Sequence, residues 1–290
     1  DHKDRVHSVA FSPDGKLMAT GEVTGRAILW SVRTSAVKKL VELPSPLPGW
    51  RKKAAVAFSP DSRRLAIGFL LETMLWDVTS DRPQRLATLR PKTGKLKRTL
   101  NDFPSVVESL AFSPNGRWLA VGRYNSGGVR LWDMKGDLKR ESAFLDGHTT
   151  RTVVFSPDGK SLYVIAGNYT KPPEYQKTRI RDNWKDDYLL QNYAYGHNGN
   201  GKAPGGWVMK ISPDGKEREI LNMGYRNPVD FALNRDGELF VYDADMEWDI
   251  GAPWYRPTRI NHGVSGGENG WRATSKKWRK YFPDTVGSVV

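Results

Sequence analysis

The 290-residue chain has no cysteine. Disulfides, zinc–thiolate sites, c-type haem attachment and thiol nucleophiles are therefore excluded. The compartment stays open, because a secreted protein can also lack cysteine. No apolar run approaches the ~18 residues of a membrane-spanning helix, and no signal peptide is visible. No segment keeps a 3.6-residue apolar period beyond two turns, which argues against a helical repeat. Helix-turn-helix, zinc-finger and RNA-binding aromatic motifs are missing as well. The opening Asp-His-Lys lacks an initiator Met and reads as a mature segment or a fragment, so an upstream signal could have been lost.

What is abundant is positive charge: 45 Lys and Arg against 32 Asp and Glu, a formal net charge of +13. The cations fall in short clusters such as Arg51–Lys53, Arg90–Arg98 and Lys276–Lys280. Clusters this dispersed read as solvated faces, and phosphate attraction alone gives unspecific, salt-sensitive binding. Nucleic acid is thus disfavoured as the main partner.

One phrase recurs: AFSPDG at 10–15, AFSPDS at 57–62, AFSPNG at 111–116 and VFSPDG at 154–159, with echoes KISPDG at 210–215 and ALNRDG at 232–237. Three copies reach a Trp some 18–20 residues later: Trp30, Trp76 and Trp132. Repeats of this period indicate a solenoid, propeller or array. Each copy reads strand, Pro-Asp-Gly turn, returning strand, then a third strand ending at the Trp. Four antiparallel strands per repeat make the blade of a β-propeller. The predicted fold is all-β, with five blades and part of a sixth. Residues 1–146 resemble WD40 repeats, with His2, the hairpin and Trp30 in register. Ser31 stands where that family has Asp, and the second and third blades lack a clear Gly-His. Some of the family's His–Ser–Trp networks are therefore expected to be incomplete.

Beyond Thr170 the tight spacing is lost. Two long second-to-third-strand loops, 168–206 and 243–257, are predicted, the first of a length that inside a compact domain is usually functional or disordered. These loops and the connections 145–152 and 224–230 belong at one end of the blades, opposite the SPDG hairpins. The second loop opens with YDADMEWD, which places Asp243, Asp245, Glu247 and Asp249 on alternate residues. An EF-hand is excluded, because Trp248 stands where that loop needs Gly and Trp254 where it needs Glu. The carboxylates could hold a cation, or pair with Arg226, Arg256 and Arg259.

GNYT, APGGW, YRNP, YDADMEWD, PWYRPTR and GGENGW together resemble bacterial propellers related to soluble quinoprotein glucose/sorbosone dehydrogenases, of the planctomycete type. The likeness covers residues 147–290. It implies a pyrroloquinoline quinone held by Arg226 and Asn227, a calcium ion near Asp243, Asp245, Met246, Glu247 and Asp249, and His148 as the base that takes a proton from a sugar or alcohol. It also implies a periplasmic or extracellular setting. Bland readings stand beside these. His148 is equally a structural WD40 Gly-His, and Arg226 with Asn227 could simply fix a tight turn. Two functions follow: a quinone-dependent oxidoreductase or its degenerate relative, or a non-catalytic propeller that binds a protein or glycan.

Overall fold

The computed structural model describes residues 2–33, 36–43, 53–70, 72–91, 106–123, 128–136, 138, 143–145, 150–168, 170–180, 205–244, 258–269 and 271. The chain divides into two compact units, Asp1–Asp146 with Pro157–Gly159, and Gly147–Ser156 with Lys160–Val290.

The first unit holds three four-stranded antiparallel sheets. Strands β1 (Val6–Phe11), β2 (Leu17–Glu22), β3 (Ala27–Arg33) and β4 (Ala36–Leu43) form the first. The second contains β5 (Ala55–Phe58), β6 (Arg64–Gly68), β7 (Thr73–Asp77) and β8 (Gln84–Leu89). The third contains β9 (Val107–Phe112), β10 (Trp118–Arg123), β11 (Val129–Asp133) and β12 (Ala143–Leu145). In each, strands pair in chain order, which is the meander of a propeller blade.

The recurrent turn owes its sequence to local chemistry. Ser12 Oγ donates to Asp14 Oδ1 at 2.6 Å and accepts the Leu17 N–H at 2.8 Å, closing the hairpin from inside. Ser59, Ser113, Ser156 and Ser212 accept the equivalent N–H at 2.9 Å. The fourth turn residue needs the left-handed region: Gly15 has φ 70°, and Ser62, which takes the same place, has φ 60°. A Cβ on Gly15 would meet nothing within 4 Å. Gly15→Ala should therefore cost about 1 kcal/mol through backbone conformation alone. Urea unfolding measures this, and a larger loss would mean that the turn is tighter than it looks.

Between sheets the core is apolar. Ala19, Ala27 and Leu29 of the first sheet cluster with Val56, Phe58, Ile67 and Met74 of the second. Ala66, Leu75 and Leu89 of the second cluster with Val107, Leu119 and Trp132 of the third. Val56 and Phe58 on β5 are 7% and 8% exposed, whereas the same phrase on β1 leaves Val9 54% and Phe11 60% exposed. The difference is a neighbour, since no described sheet precedes β1.

Trp30 Nε1 donates to Thr20 Oγ1 at 2.8 Å, and the His2 ring lies 5.6 Å from the Trp30 ring. In the second blade, which lacks the Gly-His, Trp76 Nε1 is buried with no hydrogen-bond partner among the described residues. His2 also meets Glu22, whose carboxylate accepts from Arg26 Nη2 at 2.6 Å, Thr24 Oγ1 at 3.0 Å and the Lys3 N–H at 3.1 Å. Burial would raise this carboxyl, but those bonds outweigh it and hold it down at about 2.

The second unit departs from the four-strand rule. Strands β13 (Thr150–Phe155), β14 (Leu162–Ala166), β15 (Lys177–Thr178), β16 (Gly206–Ile211) and β17 (Arg218–Tyr225) make one sheet in the order β13-β14-β16-β17-β15, with β15 parallel to β17. Strands β18 (Pro228–Leu233), β19 (Leu239–Asp243) and β20 (Arg259–His262) make a second, three-stranded sheet. The stretch Gly266–Asn269 runs beside β17: Met223 N donates to Gly267 O, and Asn269 N returns a bond to Met223 O. Together with β15 it covers the outer edge of β17, groups that would otherwise invite pairing with another chain.

Candidate functional site

Three chain connections of the second unit meet at one place, each one where a strand ends. β17 passes to β18 through Arg226 and Asn227 alone. β14 leads into its long loop through Gly167 and Asn168, and β19 leads into the other at Asp243 and Ala244.

Asp243 is the centre of the arrangement. Its Oδ2 accepts the Arg226 N–H at 3.0 Å, and its Oδ1 accepts the Asn227 N–H at 2.8 Å. Asn227 O accepts the Ala244 N–H at 3.3 Å, and Arg226 O accepts the Asn168 N–H at 2.9 Å. Gly167 faces Asn227, where a Cβ would lie 3.3 Å from Oδ1. The roots of two long loops are thus tied to one two-residue turn. Pro228 suits the register, since it pairs with Asp243 across β18 and β19 and has no N–H to satisfy.

Beneath lies a polar layer. Tyr225 is buried, and its hydroxyl donates to Asn222 Oδ1 at 2.9 Å. Asn269 Nδ2 donates to Met223 O at 2.9 Å, and Arg259 Nη2 donates to Asn269 O at 3.2 Å. Arg259 stands opposite Asp243 on the neighbouring strand. Asp243 is 1% exposed, and burial pushes its carboxyl up, against the pull of the Arg226, Asn227 and Ala244 amides and the Arg259 charge. Burial and the nearby Asp243 charge also raise the Tyr225 phenol. A carboxylate whose burial is not fully offset by its bonds marks a candidate functional position.

Of the residues singled out in the sequence, Arg226, Asn227 and Asp243 come together here. His148, Asp245, Met246, Glu247 and Asp249 lie outside the described residues. Arg226 is 8% exposed, so its guanidinium is not held out to solvent. Both Asp243 oxygens already accept main-chain N–H bonds, and among the described residues no three His, Asp or Glu converge to hold a metal ion. The described residues therefore do not by themselves make a calcium site. Sequence reasoning missed Asn222, Tyr225 and Asn269. Gly267, Asn269 and Trp271 are buried on alternate residues, the period of a strand, but Gly and Asn carry no apolar alternation that would announce it in the sequence.

These sheets define the class of protein: all-β, built from antiparallel blades of the β-propeller kind, with no helix among the described residues long and apolar enough to cross a membrane. More particularly, residues 1–31 and 94–133 match the WD domain, G-beta repeat (WD40) family. The chain is 30% identical over 164 residues to the WD repeat-containing protein SL1-17 of Schistosoma mansoni, covering 56% of this chain and 47% of that one. It is 26% identical over 244 residues to the pre-mRNA-processing factor 19 homolog 2 of Arabidopsis thaliana, covering 84% and 41%. The chain thus spans less than half the length of either relative. Among solved structures, U3-55K is similar with a TM-score of 0.56 at 15% identity, over 84% of this chain and 60% of that one. Hydrazine synthase of Kuenenia stuttgartiensis is similar with a TM-score of 0.53 at 16% identity, over 84% and 58%. At such identities the likeness is one of fold, and fold leaves enzyme and binding module equally open.

Proposed function

We propose that the chain is a non-catalytic β-propeller that binds another protein through the loop-bearing end of its second unit. The observation that carries this reading is the use made of Asp243, whose oxygens hold the main chain of Arg226 and Asn227. The polar groups fix loop roots rather than presenting a reactive atom, and a rigid base under long loops is what a recognition surface requires. The WD40 match over residues 1–31 and 94–133 supports the same reading. So does the likeness to a protein named small ribosomal subunit protein RACK1 of Caenorhabditis elegans, 29% identical over 133 residues and spanning 38% of it.

The test pairs two measurements. Titration of pyrroloquinoline quinone with calcium, followed by dye reduction with aldoses, is expected to show neither binding nor turnover. Protein capture is expected to depend on the loop end, so that Asn227→Arg loses the captured protein at unchanged melting temperature. Calcium-dependent quinone binding that disappears in Arg226→Ala would overturn this reading and restore the oxidoreductase.

A further inference from the structure

At the hairpin end of the first unit, the turns of the second and third blades leave a groove of about 430 Å³ between them. Its apolar surface is made by Phe112 and the buried Met134, with Pro60 and Pro114 contributed by the two turns. This is the small end of the range for ligand sites, enough for one anchoring side chain and its adjoining backbone.

The charge around it is unevenly held. Asp61 Oδ1 accepts from Ser59 Oγ at 2.6 Å and from the Arg63 N–H at 3.1 Å. Asp77 Oδ1 accepts from Thr79 Oγ1 at 2.6 Å, and Asp133 accepts from the Lys135 N–H at 3.0 Å and from Arg117 at 3.3 Å. The turns thus tie the nearby carboxylates into their own geometry. Arg64 and Lys135 line the groove and Arg63 adjoins it; none of the three has an ion-pair partner within 4.0 Å among the described residues, although Arg63 and Arg64 lie near enough to help the turn bonds hold the Asp61 and Asp77 carboxyls down. Long cationic side chains around an apolar floor complement acidic chain flanking an apolar anchor, and such rim charges act on encounter rate and partner choice.

We infer that this groove is a second binding site, which takes an acidic segment of a partner protein with one large apolar side chain seated on Phe112 and Met134. It lies on different strands and turns from the Asp243 cluster and does not depend on the role given to that cluster.

Selection of random 12-residue peptides displayed on phage, against the immobilised chain, tests it. Enriched peptides are expected to carry at least two Asp or Glu beside an aromatic or Leu. Fluorescence anisotropy should show at least tenfold weaker binding of those peptides to the Arg64→Gln/Lys135→Gln double variant, which removes both charges from the groove's lining without setting a new carboxylate opposite Asp77. Affinity should also fall as salt rises. Asn227→Arg should bind the peptides as the unaltered chain does. No enrichment, peptides without the acidic–apolar pattern, or equal binding to the double variant would each overturn the groove. Loss of binding in Asn227→Arg instead would overturn it too, and would assign the peptides to the loop-bearing end.

Discussion

Asp243→Ala is expected to destabilise the second unit by about 3 kcal/mol, because two main-chain N–H groups lose a charged acceptor. Part of the gross loss is returned, since a carboxylate that burial pushes up no longer has to be desolvated. The turn should suffer more than the global figure suggests. Amide exchange at Arg226, Asn227 and Asn168 should accelerate together, as these N–H groups form one chain of bonds through Arg226 O. Asp243→Asn keeps one carbonyl acceptor and should cost about half as much. Hydrogen-exchange mass spectrometry with urea unfolding separates the two variants. If Asp243→Ala unfolds like the unaltered chain, the carboxylate is not the anchor described above.

The other large effect lies in the first blade. Glu22→Ala removes a buried carboxylate from Arg26, His2, Thr24 and the Lys3 amide. Arg26 keeps Glu42 at 2.9 Å, a partner far more open to water. Breaking a buried pair from one side costs about 3–5 kcal/mol. The same group sets a pH dependence. Its hydrogen bonds hold the folded-state pKa down at about 2, below the 4.5 of an ordinary glutamate. The stabilisation is then fully present above about pH 5 and is lost as pH falls from there toward 2. The shift corresponds to on the order of 3 kcal/mol. Urea midpoints at pH 7 and pH 3 should therefore differ more for the unaltered chain than for Glu22→Gln. Parallel pH curves would assign the acid sensitivity to other carboxylates.

Which parts of this were legible in the sequence follows from the range of each interaction. The SPDG turns were readable because Ser, Asp and Gly act on backbone within five residues of themselves. The first three strands of each blade follow from the repeat for the same reason, the fourth less clearly. β15 was not readable: two residues, Lys177 and Thr178, form a strand only because β17 offers them an edge. In the sequence Asp243 is the first of four alternating carboxylates, but β19 stops there. Its partners are the amides of Arg226 and Asn227, 16 or more residues away. A main-chain N–H belongs to almost every residue, so no side chain in the sequence announces that bond. The groove at the hairpin end is hidden for a similar reason, since Phe112 and Met134 look like ordinary core residues until two neighbouring turns frame them.

Val9 and Phe11 carry a consequence for how the first unit comes apart. A stack of blades is stabilised by each blade's own strength and by the joints between neighbours. The second blade is joined on both sides, to the first through the Phe58 cluster and to the third through the Trp132 cluster. The first blade is joined on one side only among the described sheets. Opening it breaks one joint where opening the second breaks two. Thermal fraying of this unit therefore starts at an end blade rather than at the second, and anything that settles over Val9 and Phe11 would stabilise the unit at one of the points where it first comes undone.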